Sequence, residues 1–258
     1  TATRNGAKEN VRVQQLETGT LFLQRQGKSL SEFAFTDTSL SYITTKVSLL
    51  NGHLLKTPTN IALRKSVATD ENDLLLITNA DDGTMAVYSL LRSQNVIAPS
   101  EWNTDGSYLD VGVDITTIYT VVKRTIDSTD YYFLEYFDDD MLVDSASTGT
   151  AASSATVAHL DTATVDIILD GAVQAQQAVA SNTVTFTRAS TTSFQVGLPF
   201  TTKAVTMPVE LRLGVGTRLG FKKRIVEVNA LVLNSQHMKI NGTNIPFRDL
   251  GSDILDES

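Results

Sequence analysis

The sequence predicts an all-β fold carrying one short helix, with its strands arranged as propeller blades or a sandwich. Leu109, Val111, Val113 and Ile115 alternate with Asp110, Gly112 and Asp114, the period of two that a half-buried strand imposes. Asp82-Gly83 and Asp170-Gly171 stand beside alternating apolar runs, which is how hairpins are written. Short runs of this kind recur along the chain, and helical spacing replaces them only over 44–54.

In chain order, residues 1–18 are polar and mixed, with an irregular strand at 11–16. Strands at 21–24 and 31–35 turn around Gln26-Gly27-Lys28, with Leu21 and Leu23 on one face and Phe33 and Phe35 on another. Val47, Leu50 and Leu54 then share a helical face, Thr44 or Thr45 serves as N-cap, and Lys46 and Asn51 point to solvent. Strands at 61–67, 73–78 and 84–91 follow; in the last, Met85 and Val87 point one way and Ala86, Tyr88 and Leu90 the other. The strand at 109–115 is succeeded by strands at 118–124 and 131–137, joined by Asp127-Ser128-Thr129-Asp130.

Residues 145–156 read SASTGTAASSAT, all small, and predict a linker or long surface loop. Beyond it, alternating sets at Val165/Ile167/Leu169, Val184/Phe186, Phe194/Val196/Leu198, Val209/Leu211/Leu213 and Val226/Val228/Ala230/Val232 give five further strands and a small sandwich or barrel. The division is therefore 1–144, a linker at 145–156, and 157–258.

Composition excludes several classes. The 258 residues contain no cysteine, so there are no disulfides, thiolate metal sites or thiol nucleophiles. No run approaches the roughly 20 apolar residues of a membrane-spanning helix. The net charge is −8, and the excess lies early: residues 1–140 hold 12 basic and 19 acidic residues, against 9 and 10 in 141–258. A nucleic-acid-binding chain shows a basic stripe instead.

Chemistry-bearing motifs are few. His53, His159 and His237 lie far apart with no metal-ligand spacing. Asp138-Asp139-Asp140 lacks the spacing of a calcium loop and reads as a solvated turn. Gly214-Val215-Gly216 lacks the third glycine of a dinucleotide loop and reads as a β-turn. Arg218, Lys222, Lys223 and Arg224 form the one dense basic group, a nucleic-acid contact by charge but more readily a solvated turn or a partner for an acidic neighbouring subunit. Trp102, Tyr131, Tyr132, Phe133 and Phe137 are core aromatics or a sugar platform. Neither a G-x-S-x-G elbow nor an Asp-box repeat is present. No catalytic, cofactor-binding or metal-ligating residue is assigned, and the chain is read as a non-enzyme.

An ordered set of words carries a resemblance. LFLQRQGKSLSEFAF at 21–35 is followed by TTKVSLLNGHLL at 44–55, then by a D-G turn, Trp102, Asp105-Gly106, VVKR at 121–124, LE at 134–135, His159-Leu160, ILDGA, VGLPF at 196–200 and KKRIVEV at 222–228. Together they resemble the tail tubular protein B, or nozzle, family of short-tailed phages, over nearly the whole chain. The resemblance implies a β-propeller-like portion. It also implies that a substantial N-terminal portion precedes this chain in the family, so the opening TATRNG is read as the start of an excised or processed fragment.

By resemblance the chain is a virion component assembled in the host bacterial cytoplasm, one of six copies in a ring around the tail axis. Its partners are then other copies of itself, the portal adaptor and tail fibre proteins, and genomic DNA passes through without specific binding. Asp81, Asp82, Asp105, Asp110, Asp114 and Asp138–Asp140 are the candidates to line the channel. The competing reading is a tail-associated propeller adhesin that binds a host surface glycan; a propeller glycosidase comes third.

Overall fold

The computed structural model describes residues 6–16, 19–38, 40–68, 71–91, 94, 96–206, 212–213, 216–217, 222, 224–232 and 238–245. Of these, 52% are strand and 3% helical, so the fold is all-β as predicted. The chain divides into two compact units, Thr1–Phe200 and Thr201–Ser258.

The first unit opens with three antiparallel sheets, each a meander in chain order. Sheet one is β1 (Gln14–Gln15), β2 (Gly19–Leu23), β3 (Leu30–Thr36) and β4 (Ser41–Lys46). Sheet two is β5 (Pro58–Arg64), β6 (Asp73–Asn79), β7 (Met85–Leu91) and β8 (Val96–Trp102). Sheet three is β9 (Ser107–Asp114), β10 (Thr117–Ile126) and β11 (Thr129–Tyr136).

The sheets pack face to face. Leu21, Leu23 and Leu30 of sheet one meet Ile61, Leu75, Ile77, Ala86, Tyr88 and Leu90 of sheet two in one core. Ala62, Leu76, Met85 and Val87, on the other face of sheet two, meet Tyr108, Val111, Ile118 and Val122 of sheet three in a second. The central strands of sheet two, β6 and β7, are thus buried on both faces. That is why β6 reads Asp-Leu-Leu-Leu-Ile-Thr-Asn, a continuous apolar run rather than an alternation. Such stacked meanders are propeller-like. Gly83, at φ +68°, fits because a side chain there would overlap Ser107, and its carbonyl accepts from Tyr108 N at 2.8 Å, joining sheets two and three.

The rest of the first unit is a small sandwich. One layer is β12 (Asp144–Gly149), β18 (Phe194–Leu198), β14 (Thr164–Leu169) and β15 (Ala172–Val173), with β16 (Gln177–Ala178) also on β14. The other is β13 (Ser154–Thr156) paired with β17 (Thr183–Thr185). Ala155 and Val184 of the pair close a core with Val165, Ile167, Leu169, Val196 and Leu198. Asp170 and Gly171 both have positive φ, 52° and 84°, as a two-residue primed turn between β14 and β15 requires.

In the second unit the described residues form two hairpins, β19 (Arg212–Leu213) with β20 (Gly216–Thr217) and β21 (Met238–Ile240) with β22 (Thr243–Ile245).

Several expectations are corrected. The helix over 44–54 does not form. Thr44, Thr45 and Lys46 extend the β ladder opposite Phe33, Glu32 and Ser31, and only a 3₁₀ turn, Gly52–Leu54, follows. Two consecutive β-branched threonines favour the strand, and the Ser48 hydroxyl, buried, accepts from Leu30 N at 2.8 Å and anchors the descent. Val47 and Leu54 are buried as expected, but Leu50 is 85% exposed.

The small-residue stretch 145–156 is mostly strand: β12 pairs with β18 and β13 with β17. Small side chains suit it to close packing between strands. Ile115 does not continue β9 but sits at φ 55° in the Asp114-to-Thr117 turn, 82% exposed. Residues 224–232, expected to contain a strand, are in none. Val209 and Leu211 lie outside the described residues.

Candidate interaction surfaces

The stacking leaves an aromatic face at each end. Leu30, Glu32 and Ala34 of β3 point one way, so Phe33 and Phe35 point the other, and the ladder sets Tyr42 of β4 opposite Phe35. Phe33 and Tyr42 stack with ring centroids 5.0 Å apart, and Phe35 meets Tyr42 edge-on at 5.3 Å. At the other end, Ile118, Thr120, Val122 and Arg124 of β10 face inward and are buried. Tyr119 is left on the outer face with its cross-strand partner Tyr136, centroids 6.3 Å apart, beside Leu134 and Tyr132. Phe35, Tyr42, Tyr119, Tyr132, Leu134 and Tyr136 are all exposed. Clustered exposed aromatics of this kind mark interaction surfaces. Tyr42 escaped the sequence reading because it precedes the stretch read as a helix.

The five aromatics singled out in the sequence divide. Trp102 and Phe137 pack together at 5.1 Å against the core between sheets two and three. Phe133 is half-buried, while Tyr131 and Tyr132 are exposed.

Behind the third sheet lies a buried ion cluster. Arg124, 3% exposed, makes a bidentate pair with Glu135, Nε to Oε1 and Nη2 to Oε2, both 2.8 Å. Its Nη1 donates to the Asp105 carbonyl at 2.8 Å and its Nη2 reaches Asp144 Oδ1 at 3.3 Å. Burial disfavours the guanidinium charge, but Glu135 and then Asp144 outweigh it, so Arg124 is held above its ordinary pKa. Burial, with Asp144 adding, pushes the neighbouring Tyr108 hydroxyl well above the usual tyrosine range. Gly106, at φ 144°, is required here, since a Cβ would overlap the Lys123 carbonyl. This is a structural clamp tying β10, β11, the 103–106 loop and β12 together. Its legible signal is that Arg124 and Glu135, by the period of two, share the inner face of one hairpin.

The remaining candidates are dispersed. His53 is exposed at the end of the 3₁₀ turn, His159 Nε2 lies 3.0 Å from the Ser145 carbonyl, and His237 lies outside the described residues. Asp138–Asp140 are exposed beyond β11, where the Asp138 carboxylate caps Asp140 N. No group of three metal-ligating side chains occurs among the described residues. Of the acids proposed to line a channel, Asp82 is paired with Lys56 at 2.6 Å, Asp81 accepts from Thr57 Oγ1 at 2.9 Å, and Asp110 accepts from Asn60. Asp105 and Asp114 are exposed. Lys222 and Arg224 of the basic group are exposed; Arg218 and Lys223 lie outside the described residues.

These features define a β-stack whose two outer sheets carry exposed aromatic side chains. Comparison with protein-family profiles finds no match, and no curated protein matches. Among solved structures, the chain is similar to exo-β-1,3-galactanase from Phanerochaete chrysosporium with galactose, at 10% identity and a TM-score of 0.32 over 72% of this chain. A variant of the same enzyme with β-1,3-galactotriose matches at 8% identity and 0.32. The chain spans 63% to 64% of the length of those proteins. The reading of the chain as a non-enzyme is not kept, the solved structures it is similar to being galactanases, and a likeness at these scores decides neither for nor against an activity. At these scores the likeness transfers no activity, substrate or catalytic residue.

Proposed function

We propose that the chain is a structural subunit of a short-tailed phage tail, one copy in the ring-shaped nozzle through which the genome leaves the virion. One observation supports this most. Words of the resemblance that are separate in sequence, Asp105-Gly106, VVKR and LE, meet at the Arg124 clamp, with Trp102 packed nearby on Phe137. The two aromatic end faces suit a subunit that packs against others. In this reading the neighbours are further copies, the portal adaptor and tail fibres.

A conduit must not hold what it conducts. Counterion release gives each phosphate-neutralising Lys or Arg a share of DNA affinity. The chain's excess of acidic residues opposes that, so it is expected to show no measurable affinity for duplex DNA at physiological salt. Fluorescence anisotropy with a labelled duplex tests this. Salt-dependent binding abolished by Lys222→Glu with Lys223→Glu contradicts the conduit reading.

The exposed tyrosines of the third sheet favour a second reading, a propeller adhesin stacking host glycan on Tyr119, Tyr132 and Tyr136. Binding to purified host surface glycan that is lost in Tyr132→Ala would select it.

A further inference from the structure

The stacked sheets of the first unit repeat one register. Along β5, Asn60 opens the row Asn60–Thr78–Met85 and Ala62 the row Ala62–Leu76–Val87, and both rows face sheet three. Along β9, Asp110 opens the row Asp110–Val121–Leu134 and Gly112 the row Gly112–Tyr119–Tyr136, both on the outer face of sheet three. The equivalence extends to the hydrogen bonds. The Asn60 side-chain oxygen accepts from Ile61 N at 2.8 Å, and the Asp110 carboxylate from Val111 N at 2.9 Å. The step from sheet to sheet recurs as well. Gln14 Nε2 donates to the Ile61 carbonyl at 2.8 Å, and Asn60 Nδ2 to the Val111 carbonyl at 3.0 Å. Gln14, Asn60 and Asp110 therefore hold one position in three successive sheets, and Gln15, Ile61 and Val111 the next.

Two residues of sheet three depart from this pattern, and both departures point outward. Gly112 stands where sheet two has Ala62, which is packed against its neighbouring sheet. Gly112 has no positive φ and the register does not shift at it, so its backbone does not call for glycine. Among the described residues nothing lies within 4 Å of where its Cβ would be. A strand glycine of this kind marks the close approach of another backbone. Asp110 stands where the first two sheets have an amide that donates forward; an ionised carboxylate only accepts, so the group it meets has to donate.

We propose that the outer face of sheet three receives the outer face of sheet one of a second copy, which continues the stack by the step that already joins sheet two to sheet three. Applied to β1, that step sets Asp110 against Gln15, whose exposed carboxamide supplies the donor. It seats the row Gly112–Tyr119–Tyr136 between two rows of sheet one, that of Phe33 and that of Phe35 with Tyr42. The aromatics at one end of the stack thus meet those at the other, at the same level along the strands. This match between the two faces selects the occupant. The contact is heterologous: two copies of three sheets each close as six blades, within the roughly four to eight of known propellers, or the stack runs on. The inference stands on the register of the first unit and not on the tail reading.

The chain has no cysteine, so introduced thiols report cleanly. Full-length chain carrying Tyr136→Cys is mixed with chain carrying Phe35→Cys and oxidised. A disulfide between the two different chains is expected, well above that formed by either variant alone or with a Val173→Cys control. Gly112→Leu, which fills the approach, is expected to weaken association about tenfold or more in sedimentation equilibrium. Its unfolding midpoint is expected to be no lower than that of the native chain, because leucine suits an open strand position better than glycine. Gln15→Lys, which offers Asp110 a charged donor, is expected to strengthen association. Mixed cross-linking no better than the controls, or Gly112→Leu associating as the native chain does, overturns the proposal. A native chain that stays monomeric at every concentration overturns it too, whatever covers the two faces.

Discussion

Arg124 is the residue at the centre of the buried ion cluster. Its three acceptors, Glu135, the Asp105 carbonyl and Asp144, come from three separate segments. Removing one partner of a buried ion pair leaves an uncompensated charge, at a cost of about 3–5 kcal/mol. Arg124→Ala is therefore expected to destabilise the first unit by that order in chemical denaturation. Arg124→Lys keeps the charge but loses the fork and should fall between. Asp170 gives a pH-dependent counterpart. Its carboxylate accepts from the backbone N–H groups of Thr192 and Thr191 and pairs with Arg188 at 2.8 Å, which together hold its pKa well below the usual carboxylate range. A depressed folded-state pKa stabilises above the unfolded value of about 3.9 and is lost as pH falls further. The stability difference between the native chain and Asp170→Asn should be constant from neutral pH to about pH 5 and shrink below about pH 4. A difference that grows on acidification would contradict this assignment. Both sites were partly legible: Asp170-Gly171 was read as a turn from its dipeptide, but the loop 191–193 that its side chain caps is brought there only by the β14–β18 pairing.

At the scale of elements, the corrected helix supplies the sharpest contrast. Leu54 is buried in the core between sheets one and two, and Leu54→Ala is expected to cost about 2–5 kcal/mol. Leu50 faces solvent, and Leu50→Ala should stay within about 0.5 kcal/mol. Equal losses would restore the helix. Val47, Leu50 and Leu54 fit a helical face by spacing alone, yet Thr44–Lys46 are claimed by the ladder with β3, an interaction no local pattern can display. Hairpins were the most legible elements, because Asp-Gly and the alternation around it are local signals: the split of Met85 and Val87 from Ala86, Tyr88 and Leu90 matches the two cores on either side of sheet two. β8 was missed. Pro99 argues against a strand, but β8 is an outer strand with no ladder bond needed on its far side, where proline is tolerated. Residues 224–232 failed in the opposite direction, since strand composition cannot supply a partner.

At the largest scale, what matters is that the stack of three sheets in the first unit ends in exposed aromatic faces on both sides. The sequence showed five aromatics but not which of them the stacking would leave outside: Trp102 and Phe137 went into the core, Tyr131 and Tyr132 did not. Surfaces of this kind are expected to bury themselves against other copies. The solution mass of the full chain, measured by light scattering across a range of concentrations, tests this most directly. A discrete species at a whole-number multiple of the 28.0 kDa chain, persisting on dilution, is the result expected of a ring subunit. A chain that stays at 28.0 kDa at every concentration contradicts it.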